Sequence, residues 1–129
     1  MDIHALIIDD DEASVDVLQS LLSKIGMKST TIKPFSRNII AELSDAPPVD
    51  IVFLDLEMPL MNGYEVLGKL QLTPEFEAVP VVAHSVHTSH LNEAYDAGFH
   101  SFIGKPLNRH TFEENLQRIL NGEHIWEVN

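Results

Sequence analysis

Short apolar runs alternate with stretches of helical period along the whole chain, and this alternation limits the fold more than any single residue does. The first run, Ile3 to Ile8, is apolar except for His4, as a strand buried on both faces would be. Leu18, Leu21, Leu22 and Ile25 then fall on one helical stripe, and Gly26 stands where a helix end favours a left-handed residue. A β-branched run, Ser29 to Lys33, is closed by Pro34. Ile39, Ile40 and Leu43 mark a short helix ended by Pro47 and Pro48. Val49 to Leu54 reads as the central strand. A loop with Pro59, Asn62 and Gly63 leads to a helix from Tyr64 to Leu72. Pro80 to His84 is the fourth run, followed by helical spacing at Leu91, Ala94 and Tyr95 that Gly98 closes. Phe99 to Ile103 is the fifth run. The last helix carries Phe112, Leu116, Ile119 and Leu120, with Asn108 as its expected N-cap and Gly122 beyond its end.

Five strands alternating with five helices predict a parallel sheet with helices on both faces. No repeat, low-complexity tract or linker divides the chain. Residues 1–129 are therefore read as one domain with a short tail over 122–129, whose Trp126 is expected to fold back on the body. The 44% apolar content suffices for one core across 129 residues. Twenty acidic against eight basic residues give a net charge of -12, which opposes binding to nucleic acid or an anionic membrane. There is no cysteine, hence no disulfide or thiolate site. Asp2 and His4 interrupt any apolar leader, and no apolar stretch is long enough to span a bilayer, so a cytoplasmic location is expected.

In a parallel sheet of this kind, ligands bind beyond the carboxyl ends of the strands. Asp9, Asp10 and Asp11 follow the first strand, Asp55 the third, Ser85 the fourth and Lys105 the fifth. Carboxylates gathered at one point repel each other and need a counter-charge. All-oxygen ligation selects Mg2+ or Mn2+, and Lys105 adds a fixed positive charge. The set suits phosphoryl transfer, with one carboxylate as nucleophile and the cation, Lys105 and the Ser85 hydroxyl holding the equatorial oxygens. Asp55, alone at the end of the most apolar strand, is the expected nucleophile. Asp9 and Asp10 suit the metal, and Asp11 suits the start of the first helix.

The runs Leu6-Ile-Ile-Asp-Asp-Asp-Glu, Val49-Asp-Ile-Val-Phe-Leu-Asp-Leu-Glu-Met-Pro-Leu-Met-Asn-Gly-Tyr-Glu and Phe102-Ile-Gly-Lys-Pro-Leu resemble the receiver domains of two-component response regulators over nearly the whole chain. The resemblance implies a flavodoxin-like (βα)5 three-layer sandwich with strand order 2-1-3-4-5. It implies that Asp55 takes a phosphoryl group from a phosphohistidine on a sensor histidine kinase or phosphotransfer protein. Asp10 and Asp55 would ligate the metal directly with the Glu57 main-chain carbonyl, and Asp9 would complete the acidic pair. The Lys105-Pro106 bond would be cis. Ser85 and Phe102 would form the switch, and the surface of the fourth helix, fifth strand and fifth helix would reach a downstream protein. Glu57 and His87 would set the lifetime of the phosphorylated state.

The output would come through protein contacts, as a monomer or weak dimer, in a shuttle like the chemotaxis type, a relay or a phosphate sink. The resemblance implies a phosphoacceptor switch that catalyses only its own phosphorylation and dephosphorylation, and no DNA-binding output domain is expected in these residues.

Three positions stand out. Val86 replaces the usual alanine and is expected to crowd the path of Phe102. His84 stands where Leu or Met is common, and if buried needs a partner. His84, His87 and His90 recur every third residue but are not expected to share a face. An aspartyl-phosphate phosphatase is the alternative, because Glu57 stands two residues after Asp55 as its general acid would. A flavin or nucleotide module is excluded, because it needs a Gly-, Ser- or Thr-rich phosphate loop and Asp9-Asp10-Asp11-Glu12 repels phosphate without a metal.

Overall fold

The computed structural model describes residues 3–32, 39–45, 47–58 and 62–127. Lys33, Pro34, Pro59, the side chains of Ile39 and Ile40, and Val128 and Asn129 of the tail lie outside the described residues.

The elements run β1 (His4–Ile8), α1 (Glu12–Lys24), β2 (Lys28–Ile32), α2 (Ile39–Asp45), β3 (Ile51–Asp55), α3 (Gly63–Gln71), β4 (Val81–Ser85), α4 (Leu91–Ala97), β5 (Ser101–Gly104), α5 (Phe112–Leu120) and β6 (Trp126–Glu127). All strand pairs are parallel, in the order β2-β1-β3-β4-β5-β6. The first five strands keep the expected order, and the fold is flavodoxin-like. The sixth corrects the expected count: the tail docks as an edge strand. Two residues are too few to leave a periodic pattern in the sequence.

Side-chain alternation along the strands builds two cores. Leu6, Ile8, Val52, Leu54, Ala83 and Phe102 pack with Leu43 of α2, Val66, Leu67 and Leu70 of α3 and Ala94 of α4. Ala5, Ile7, Ile51, Phe53, Val82 and Ile103 pack with Val15, Leu18, Leu21 and Leu22 of α1 and Phe112, Leu116 and Ile119 of α5. The result is a three-layer sandwich. Every residue of β3 and β4 is buried, which is why Ile51–Leu54 and Val81–Ala83 read as unbroken apolar runs before the polar residues at their carboxyl ends.

Caps place the helices against the site. Asp11 is the N-cap of α1, its carboxylate accepting from the Ala13 N–H and the Ser14 hydroxyl. Asn62 caps α3 by accepting from the Glu65 N–H at 2.9 Å. Next to it, a Cβ on Gly63 would lie 2.6 Å from the Asp55 carbonyl oxygen and 2.9 Å from the Leu56 Cα. Only glycine lets α3 begin this close to the end of β3. Asn108 does not cap α5 as expected. It closes the preceding turn, accepting from the His110 N–H, and Thr111 stands at the N-cap position.

His84 is buried at 3% exposure in the sheet, and its Nε2 has no hydrogen-bond partner. The partner expected for a buried histidine is absent among the described residues. Burial, with the Lys105 charge behind it, lowers the His84 pKa to about 3, so the ring stays neutral. An unfolded His84 takes up a proton near pH 6.5, whereas the folded one does so only near its lowered pKa. The resulting stability is full above the unfolded value and is lost as pH falls. From about pH 7.5 to about pH 5.5 this residue should remove about 1.4 kcal/mol. Urea unfolding at both pH values should show that His84→Met lacks this part of the acid loss. Equal losses in both proteins would contradict the assignment.

Candidate functional site

The strand ends bring four separate segments to one rim. Asp9 and Asp55 are buried there at 2% and 3% exposure, and Asp10 is half-buried. Asp9, Asp10 and Asp55 each offer a carboxylate oxygen, all within 4.8 Å of one another. The Lys105 ammonium donates to Asp9 Oδ2 at 3.1 Å and stands 3.6 Å from Asp55 Oδ1. Main-chain donors hold the two buried acids: the Asp11 N–H to Asp9 Oδ1 at 2.9 Å, and the Glu57 N–H to Asp55 Oδ1 at 3.1 Å. The Lys105-Pro106 peptide is cis.

One ammonium against three carboxylates leaves the cluster short of positive charge. Burial, reinforced by the charge of Asp9, pushes the Asp55 carboxyl up to about 7, against the opposing pull of the Glu57 N–H and Lys105. A hard cation supplies what is missing, and these oxygen donors suit one. The residues thus fit the Mg2+ expected from the sequence, and Asp9, Asp10 and Asp55 would hold it.

Ser85 is fully buried at the end of β4, but its hydroxyl is turned to Glu57. Ser85 Oγ donates to Glu57 Oε1 and accepts from the His87 N–H at 3.0 Å. Glu57 also faces two histidines: His87 Nε2 is 3.6 Å from Oε2, and His90 Nδ1 is 3.6 Å from Oε1. The His87 and His90 ring centroids are 5.4 Å apart. The resemblance singled out Glu57 and His87 as a pair, and spacing singled out His90 only with His84 and His87, but neither gave a sign of this four-residue contact. The histidine triplet does not assemble: His84 is buried in β4, away from the pair.

The structure revises the expectation for Val86. Phe102 is fully buried on the α3–α4 side with Leu56, Ala83 and Phe99. Val86 does not crowd it. Val86 is 54% exposed and lines a crevice of about 260 Å³ with Ala13, Val17, His84, Lys105 and Leu107, on the α1 side of the sheet. β4 extends through Ser85, so position 86 begins the turn and faces away from Phe102. A concavity of about 590 Å³ lies at the other end of the sheet between Asp50, Phe76, Phe99 and His124, and none of the site residues lines it.

A family model described as the response regulator receiver domain matches residues 5–117. The stress response regulator protein 1 of Meyerozyma guilliermondii is 29% identical over 106 residues, covering 80% of this chain and 49% of the relative. The chain thus spans about half the length of that relative. Among solved structures, the chemotaxis response regulator CheY4 of Vibrio cholerae superposes with a TM-score of 0.80 at 23% identity, covering 92% of this chain and 99% of that one. The receiver domain of sensor histidine kinase PA1611 from Pseudomonas aeruginosa, solved with a magnesium ion coordinated in the active site cleft, gives 0.79 at 19% identity, covering 94% and 99%.

The charge imbalance sets a test. Because its folded pKa is raised, Asp55 favours the fold while protonated and loses that contribution as pH rises through about 7. At about pH 8 without divalent cations, Asp55→Asn should therefore raise the thermal midpoint by about 4 °C or more, the shift given by about 1 kcal/mol in a domain of this size. Added Mg2+ should raise the wild type and narrow the gap. An unchanged midpoint in Asp55→Asn, together with a wild type indifferent to Mg2+, would show that the cluster is not short of positive charge.

Proposed function

The chain belongs to the response regulator receiver domain family, and from that premise we propose that Asp55 is its phosphoacceptor. The observation that carries this reading is the gathering of Asp9, Asp10 and Asp55 at the carboxyl ends of β1 and β3, with the Lys105 ammonium from the end of β5 against Asp9 and Asp55. An Asp55 carboxylate oxygen forms the bond to phosphorus as the bond from phosphorus to the donor imidazole breaks. The ring nitrogen keeps the electron pair and takes up a proton. The donor is a phosphohistidine on a sensor histidine kinase or phosphotransfer protein.

Lys105, already against Asp55, meets the incoming negative charge. Ser85 must leave Glu57 to reach a phosphoryl oxygen, so the Ser85–Glu57 hydrogen bond belongs to the resting state. Mg2+ or Mn2+, held by Asp9, Asp10, Asp55 and the Glu57 main-chain carbonyl, supplies charge neutralisation at the phosphoryl oxygens when bound. Glu57 and His87 flank the line along which water attacks the acyl phosphate, and set its lifetime.

Residues 1–129 act as one receiver unit in the cytoplasm, as a monomer or weak dimer. Ser85 and Phe102 form the switch that passes the signal to a downstream protein over the α4–β5–α5 face. Among the described residues, no helix is long and apolar enough to cross a membrane.

The test is incubation with acetyl phosphate and Mg2+ followed by intact-mass measurement. One phosphoryl group per chain is expected, absent in Asp55→Asn and strongly reduced in Lys105→Met. Glu57 at its two-residue offset also admits phosphatase turnover. Multiple turnover of a phosphate monoester by the wild type, with no stoichiometric adduct, would replace the switch by that enzyme.

A further inference from the structure

The tail does more than fold back. β6 adds to the outer edge of β5 in parallel register, with Trp126 opposite Phe102 and Glu127 opposite Ile103. The Phe102 N–H donates to the Ile125 carbonyl at 2.7 Å, and the Ile125 N–H donates to the buried Ser101 hydroxyl at 3.0 Å. A two-residue strand is too short to be held by its ladder alone, and the side chains supply the rest. Ile125 is 7% exposed and joins the core under α1 and α5. Trp126 turns to the other face, packs against the core containing Phe102, and meets the Tyr95 ring edge-on at 5.1 Å. The Glu127 carboxylate returns to the α5 side and accepts from the buried Asn115 amide and from the Thr111 hydroxyl at 3.3 Å. The edge therefore has three subsites on alternating faces: one aliphatic, one aromatic, and one with two donors for a carboxylate.

We propose that the β5 edge between α4 and α5 is a strand-addition groove, filled in cis by Ile125–Glu127, that accepts from a partner protein an extended segment of the same chemistry. That segment carries an aliphatic residue, an aromatic residue and a carboxylate in succession, and pairs in parallel with β5. Main-chain hydrogen bonds give such binding its affinity, and the alternate side chains its selectivity. A basic residue in the third position would face the positive ends of the Asn115 and Thr111 donors, so an acid is selected. The tethered tail competes at high local concentration, so the partner segment binds well only once the tail's own side chains no longer hold it. This inference rests on the α4–β5–α5 reading only in naming the face as the one a partner uses.

The test uses the full-length chain with Trp126→Ala and Glu127→Ala and a synthetic peptide of residues 121–129. The chain has one tryptophan, so in this mixture all tryptophan emission comes from the peptide. The variant should bind one peptide with a blue shift in emission, tighter than the wild type by about tenfold or more as measured by calorimetry. Peptides carrying Trp126→Ala or Glu127→Lys should lose that binding. The single variant Trp126→Ala, which keeps the Glu127 contacts, should give an intermediate affinity and serves as the measurement if the double variant unfolds.

A folded variant that does not bind the peptide, or equal binding by variant and wild type, would overturn the proposal. Dimerisation of the wild type that Trp126→Ala abolishes would make the occupant a second copy's tail and overturn the assignment to a partner. No phosphodonor or Mg2+ is present, so failure here leaves the Asp55 reading untouched. Loss of phosphorylation at Asp55 would equally leave the groove standing.

Discussion

The Lys105 ammonium holds the site together. It lies 3.1 Å from Asp9 and 3.6 Å from Asp55, and all three side chains are largely withdrawn from water. Two buried carboxylates this close would repel each other strongly without it, and removing one partner of such a buried set leaves a charge with no compensation. The strand order follows the same need, since it sets β1, β3 and β5 so that loops distant in sequence share one counter-charge. Compensation is nevertheless incomplete, which is why burial still raises the Asp55 carboxyl. This residual deficit is the physical reason the site suits a hard cation and then a phosphoryl group.

Around that centre the resting arrangement is specific. The Ser85 hydroxyl is bound to Glu57, and Glu57 stands between Ser85 and two histidines. β5 connects this end of the molecule with its edge: Gly104 is in register with Ser85, while Phe102 is in register with Trp126. A change at Ser85 and a change at the tail therefore act on the same four-residue strand. Phe102 is already buried, with Trp126 packed against the same core. The switch proposed for Ser85 and Phe102 would therefore act on the strand against which the tail is docked.

The parts legible in the sequence are those that follow from period and position. β3 and β4 are buried on both faces and leave apolar runs up to their polar carboxyl ends, so the strands and the sandwich could be read directly. Asp9, Asp10, Asp55, Ser85 and Lys105 are fixed by where their strands stop, and a parallel sheet brings strand ends together. What could not be read depends on single-residue geometry. Val86 was expected to crowd the path of Phe102, but it lines the crevice beside α1 whereas Phe102 lies in the core on the other side of the sheet. The convergence of Glu57, Ser85, His87 and His90 depends on side-chain rotamers across two loops. β6 is too short to carry a period, and its anchoring residues, Asn115 of α5 and Thr111 just before it, look like ordinary surface positions. His84 was recognised as unusual, but a sequence gives no sign of whether a buried ring finds a partner.

The central claim is that the group modified is the Asp55 carboxylate itself. Borohydride reduces an acyl phosphate to the alcohol, which converts a phosphorylated aspartate into homoserine. Peptide sequencing by mass spectrometry after phosphorylation and borohydride treatment should find homoserine at position 55, with Asp9 and Asp10 unchanged. Homoserine at position 9 or 10, or phosphate retained on Ser85 with Asp55 intact, would contradict the account.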